Sequence, residues 1–221
     1  MNKLLLTLSS LVVACVTAVS AQAQEVKGDA KAGEKKIAQC IGCHGIQGYQ
    51  ASFPEIYKVP MISGQGAKYI ASALSAYRKG DRKHPTMHAI AASLTDQDIA
   101  DLAAFYEQHG GPAASAPPDG APEAPAAVAA LLTKGACASC HGANYSKPID
   151  GTYPKIAGQH ADYLYVALKS YKTEGNPQVG RNNAIMGGQV KQFSNTELKA
   201  LADYLGSLPG ELRTVRESYF R

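Results

Sequence analysis

Tyr69, Ile70, Ala73, Leu74 and Tyr77 recur at the i, i+1, i+4, i+5, i+8 spacing of one helical face. Tyr163, Leu164, Ala167, Leu168 and Tyr171 repeat that face position for position. A second face, Ile99, Leu102, Ala103 and Tyr106, is matched by Leu198, Leu201, Ala202 and Leu205. Thr95 with Asp98 three residues on, and Ser194 with Glu197, read as capping boxes that start these last helices. A shorter helix is expected ahead of each of two cysteine pairs, with Asp29 as its cap in the first case. No stretch alternates apolar and polar residues with the period of a strand. The expected fold class is all-α.

The matched faces belong to a longer internal repeat. GDAKAGEKKIAQCIGCHG corresponds to APAAVAALLTKGACASCHG, VPMISGQGAKYIASALSAYRKG to YPKIAGQHADYLYVALKSYKTEG, and SLTDQDIADLAAFY to QFSNTELKALADYL, in the same order. Between the copies, Gly110 to Ala127 is rich in Pro, Ala and Gly and reads as an extended linker. The chain of 221 residues thus divides into a first domain over 24–109, a linker over 110–127 and a second domain over 128–221. Copies this small have little core of their own, and a large rigid cofactor inside each would supply the missing apolar volume.

The first residues follow another logic. One positive charge, an apolar run from Leu4 to Val19 too short to span a bilayer, and Ala21-Gln22-Ala23 make a secretory leader of residues 1–23, with the mature chain starting at Gln24. Val12-Val13-Ala14-Cys15 offers a rival reading, a lipoprotein box with Cys15 as the lipidated terminus. Either way the chain is expected to be exported. The formal net charge of +4 is spread without a basic stripe, which speaks against nucleic acid as a partner. The tail 211–221, ELRTVRESYFR, follows the last helix and is expected to end in solvent.

The chemistry lies in CIGCH at 40–44 and CASCH at 137–141. Two cysteines three apart sit about one helical turn apart and suit the two vinyl groups on one porphyrin edge, with the following histidine under the iron. Cys40 and Cys43, then Cys137 and Cys140, are the candidate thioether residues, and His44 and His141 the candidate iron ligands. A thioredoxin-like redox pair would want a βαβ setting, and structural zinc would want four ligands gathered together; neither suits this sequence. Two covalently bound haem c groups are the expected cofactors.

An electron-transferring haem wants a sixth ligand, and methionine opposite histidine raises its potential. Once Met1 is set aside, only Met61, Met87 and Met186 remain. Met186 is the sole candidate in the second copy, and Met87 occupies the corresponding slot ahead of the last helix in the first. His84, His88 and Met61 remain alternatives to Met87, while His109 and His160 read as surface histidines. Pro60 and Pro154 are equivalent too, and a backbone carbonyl there could accept the other N–H of the proximal histidine.

Taken together, the two CxxCH units, the PxIxGQ stretches, the paired methionines and the Pro/Ala linker resemble the cytochrome c4 family of dihaem bacterial cytochromes, over about Gly28 to Leu208. The resemblance implies two class I cytochrome c domains related by a pseudo-twofold axis, with haem propionates meeting near their interface. It also implies a periplasmic electron carrier, not an enzyme, that runs from a quinol-oxidising complex (a quinol–cytochrome c reductase) to a terminal oxidase, with peripheral membrane association an option. A subunit of a larger dehydrogenase is the alternative. A dihaem peroxidase or thiosulfate-oxidising enzyme fits less well, because every mature cysteine is already used for attachment.

Overall fold

The computed structural model describes residues 26–111 and 118–216. The expected leader, with Cys15, lies outside the described residues, as do positions 112–117 and 217–221.

Along the first copy come α1 (Ala30–Glu34), α2 (Ala38–His44), β1 (Gln50–Ala51), β2 (Tyr57–Lys58), α3 (Ala67–Lys79), β3 (Arg82–Lys83), α4 (Pro85–Ala92) and α5 (Asp96–His109). The second copy runs through α6 (Ala126–Lys134), α7 (Cys137–His141), α8 (Ala161–Ser170), β4 (Gly180–Arg181), α9 (Ala184–Lys191) and α10 (Asn195–Ser207). Thr95 and Ser194 complete capping boxes, each side chain accepting from the N3 amide while Asp98 or Glu197 accepts from the cap's own amide. The Asp29 side chain caps α1.

The repeated apolar faces make the core. In the first copy Ile37, Ile41, Ile70, Leu94, Ile99, Leu102 and Tyr106 form one buried cluster where α3 and α5 meet. In the second copy Leu164, Ala202, Leu205 and Leu208 form one cluster, and Val190, Phe193, Leu198 and Leu201 another. Gly64 and Gly158 occupy equivalent left-handed positions, at φ 84° and 72°, and donate to Tyr106 O (2.8 Å) and Leu205 O (3.0 Å). A β-carbon at Gly64 would sit 2.7 Å from Glu211 O, so the close approach there requires glycine.

Helices dominate as expected, but the four short strands were not legible in the pattern. β1 pairs with β2 in a two-residue hairpin. β3 pairs with β4 across the two copies, setting Arg82 opposite Arg181. Ladders of two residues are too short to carry a period of two.

Two more segments depart from expectation. The end of the linker packs: Pro118 O accepts from Asn144 Nδ2 (3.0 Å), Pro122 O accepts from the Tyr204 hydroxyl (2.6 Å), and Ala121 lies on the second copy's core. Pro125 then caps α6, which begins at Ala126, inside the stretch read as linker. The tail does not run straight into solvent. Leu212 is buried, Glu211 pairs with Lys155, and Arg213 N donates to Ser63 O (2.9 Å) in the first copy.

Candidate haem sites and the interface between them

Both attachment motifs are helical, so Cys40 and Cys43 on α2, and Cys137 and Cys140 on α7, project from one face each. None of the four is in a disulfide. Burial pushes the Cys40 thiol up to about 11 and raises Cys137 as well, which suits neither to the thiolate chemistry of a disulfide-exchanging pair. Among the described residues no cluster of His, Cys, Asp and Glu could hold a metal by itself.

Each motif's histidine closes its helix. His44 Nδ1 lies 2.8 Å from Pro60 O, and His141 Nδ1 lies 2.9 Å from Pro154 O. A carbonyl only accepts, so Nδ1 carries the hydrogen and Nε2 keeps its lone pair, the tautomer a metal requires. Burial holds both imidazoles below their ordinary range and hence neutral. Gly142 follows His141 at φ 81°, where a β-carbon would meet Lys147 O at 2.0 Å; the sharp turn there admits only glycine.

Met87 and Met186 occupy the third positions of α4 and α9, half-buried in both cases. Their amides are held by the capping side chains, Met87 N by His84 Nδ1 at 3.4 Å and Met186 N by Asn183 Oδ1 at 2.9 Å. Of the histidines that are alternatives to Met87, His84 has both ring nitrogens engaged, whereas the bond at His88 involves Nδ1 alone. His84 Nε2 pairs with the Tyr57 hydroxyl (3.0 Å), and His88 Nδ1 donates to Tyr77 O (2.8 Å). His109 and His160 are not plain surface residues: His109 pairs with Ser63 Oγ (2.9 Å) and stacks on Phe105, and His160 sits half-buried at the start of α8.

Several candidate side chains escaped the sequence reading, all at the seam between the copies. Arg82, 9% exposed, donates to the hydroxyls of Tyr163 (2.7 Å) and Tyr69 (3.1 Å), and Arg181 donates to Tyr163 as well (3.2 Å). Burial by itself would push the Tyr163 phenol up, yet the two guanidiniums bring it down to about 8. Arg82 Nε finds no partner, and among the described residues neither arginine is in an ion pair. Gln65 and Gln159 cross the same seam: Gln65 brackets Lys155, and Gln159 brackets Met61, each through the backbone N–H and C=O. The one available signal was the recurrence of GQ after each proline, and of an arginine five residues before each methionine.

These features fit a haem. The thiol pairs match its vinyl groups, the Nδ1-anchored histidines leave a ring nitrogen for iron, and the guanidiniums of buried Arg82 and half-buried Arg181, in no ion pair among the described residues, match its carboxylates.

Comparison with known proteins agrees. The cytochrome c family model matches residues 30–109 and 125–209. A cytochrome c4 from Stutzerimonas stutzeri is 31% identical over 220 residues, spanning 94% of this chain and 100% of its own. This chain belongs to the cytochrome c4 family. As a member it is a dihaem electron-transfer cytochrome, and the cysteine pairs at 40/43 and 137/140 fit covalent haem c. The crystal structure of reduced recombinant cytochrome c4 from Pseudomonas stutzeri superposes with a TM-score of 0.58 at 28% identity, covering 82% of this chain and 100% of that one. Another relative, the thiosulfate dehydrogenase electron acceptor of Stutzerimonas stutzeri strain A1501, is 30% identical over 205 residues, 86% of this chain and 90% of its own.

Proposed function

We propose that this cytochrome carries electrons in the periplasm from a quinol-oxidising complex to a terminal oxidase. In this reading His44 and Met87 would hold one iron, and His141 and Met186 the other. The single observation that carries it is the matched pair of histidines, each pinned through Nδ1 to a proline carbonyl. A bound haem supplies a one-electron change at its iron. The chain's own residues hold the imidazoles in one tautomer, present the methionines from capped helices and offer Arg82 and Arg181 to the propionates. Two protein ligands on each iron would leave no position for a substrate. Ile46 beside the first motif and Ile185 beside Met186 are exposed, which favours docking of redox proteins next to both haems. The leader pattern of residues 1–23 supports export, and no described helix is long and apolar enough to cross a membrane.

Met186→Ala tests the ligand set. The sulfur-to-iron near-infrared band of the second haem is expected to vanish and its potential to fall. An unchanged band means a different ligand. The likeness to a thiosulfate dehydrogenase electron acceptor favours a second reading, in which that enzyme is the donor. Stopped-flow reduction by a thiosulfate dehydrogenase and by a quinol-oxidising complex, under matched conditions, separates the two.

A further inference from the structure

One peptide group backs the histidine of each attachment motif, and both its ends are hydrogen-bonded. The unit joining Pro60 to Met61 accepts at its oxygen from His44 Nδ1 (2.8 Å). Its N–H, on Met61, donates to Gln159 Oε1 in the opposite copy (3.0 Å). The unit joining Pro154 to Lys155 repeats this with the copies exchanged: its oxygen accepts from His141 Nδ1 (2.9 Å), and its N–H donates to Gln65 Oε1 (2.9 Å).

Neither amide could be turned round. Gln159 Nε2 donates to Met61 O (2.9 Å) and Gln65 Nε2 to Lys155 O (2.9 Å), while each Oε1 also accepts from the amide of its own next residue, His160 or Gly66, at 3.0 Å. A flipped side chain would set an NH₂ group against two N–H donors and an oxygen against a carbonyl. Both glutamines are 4% exposed, so water does not compete for these bonds.

A peptide is conjugated, so an acceptor on its N–H raises the electron density on its oxygen, and hydrogen bonds in such a chain reinforce one another. A richer carbonyl draws the Nδ1 hydrogen more strongly, makes the imidazole a better donor and favours ferric iron. We propose that Gln159 and Gln65 are crossed positioning residues, each setting the donor strength of the proximal histidine in the opposite copy. Gln159, in the second copy, acts on the haem at His44; Gln65, in the first, acts on the haem at His141. The interface thereby links the two potentials through two hydrogen-bond chains of three groups each. Simple glue between the copies would not need to fall on the very peptides that hold the histidines.

The inference rests on the ligand reading above, and the test separates the two. Full-length holoprotein is first weighed for two haems and checked for both sulfur-to-iron bands; a failure there concerns the ligands. Gln159→Met and Gln65→Met, similar in length but without the acceptor, are then titrated, with each haem followed by its own NMR-assigned methyl resonances. In Gln159→Met the reduced-to-oxidised ratio of the His44 haem, at a fixed ambient potential, is expected to rise severalfold while the His141 haem moves less. In Gln65→Met the haems exchange roles. Asp162→Asn, which weakens the contact to Lys58 elsewhere on the same seam, controls for loosening and should leave both ratios near wild type. Equal shifts in both haems, a shift in the wrong haem, no shift, or a comparable shift in the Asp162 control would each overturn the proposal. If a Met variant yields no dihaem protein, Gln159→Glu keeps an oxygen in place: a His44 haem at the wild-type ratio or more oxidised supports the inference, and a more reduced one overturns it.

Discussion

The two copies repeat the same attachment motifs and proline-anchored histidines yet fasten their first helices by opposite means. α1 has five residues and no apolar stripe. It lies so close to α5 that a β-carbon on Gly33 would meet Asp101 O at 2.1 Å. A polar knot holds it there: Asp101, 2% exposed, accepts from Asp29 N (2.8 Å), Lys36 Nζ (2.7 Å) and Gln97 Nε2 (2.8 Å). The aligned residue in the second copy is Ala200. There α6 brings Val128, Leu131 and Leu132 against Val190, Phe193, Leu198 and Leu201. One fold therefore accepts either a titratable clasp or an apolar one at the same joint. Only the first should respond to pH.

The largest effect is expected on the apolar side. Leu198 is fully buried, and Leu198→Ala should cost about 3–4 kcal/mol, nearly the same at pH 7 and pH 4. Denaturant unfolding at the two pH values checks this. A loss that depends strongly on pH would break the contrast between the copies.

Asp101→Asn is the matching change on the polar side, with an expected cost of about 2 kcal/mol near neutral pH, modest because Lys36 remains partly in water. Burial works to raise the Asp101 carboxyl, but Lys36, the Asp29 amide and Gln97 outweigh it and hold it below the ordinary carboxylate value. A depressed folded value means stability that is fully present above the unfolded value, and lost as pH falls through the folded one. On acidification the first copy should therefore lose its sulfur-to-iron band before the second. In Asp101→Asn the two losses should draw together. Simultaneous loss in the wild type would show that the clasp contributes little.

What the sequence made legible follows the same line between local and distant contacts. Helical faces, both capping boxes, the attachment motifs and the proline carbonyls behind His44 and His141 are set by residues of one copy, close in sequence or in matched order. Most of the unread parts join one copy to the other, the β1–β2 hairpin within the first copy being an exception. The Arg82–Arg181 ladder pair, the crossed glutamines and the return of Arg213 to the first copy depend on an axis that no single repeat encodes. GQ and the arginines recurred in both repeats, but recurrence alone does not tell a core position from a seam. The linker misled for a different reason. Its Pro and Ala residues offer little side-chain surface, and it packs instead through the carbonyls of Pro118 and Pro122.

The smallest expected effect concerns the helices that carry the methionines, where the copies again differ by a titratable group. Asn183 caps α9 at any pH, whereas His84 caps α4 only while Nδ1 is unprotonated. Burial, helped by the Arg82 and Arg181 guanidiniums, lowers the His84 imidazole from its ordinary value of 6.5. The unfolded chain then takes up the proton first, so stability should decline as pH falls below 6.5 and level off once the folded histidine is protonated too. His84→Asn would give the first copy the cap of the second. The wild type should lose under about 1 kcal/mol between neutral and mildly acidic pH, and the variant should lose none of that share. Because Tyr57 also binds this ring, a Tyr57→Phe background shows whether the phenol or the cap is responsible. Persistence of the acid slope in His84→Asn would trace it to a group other than this cap, leaving α4 and α9 alike.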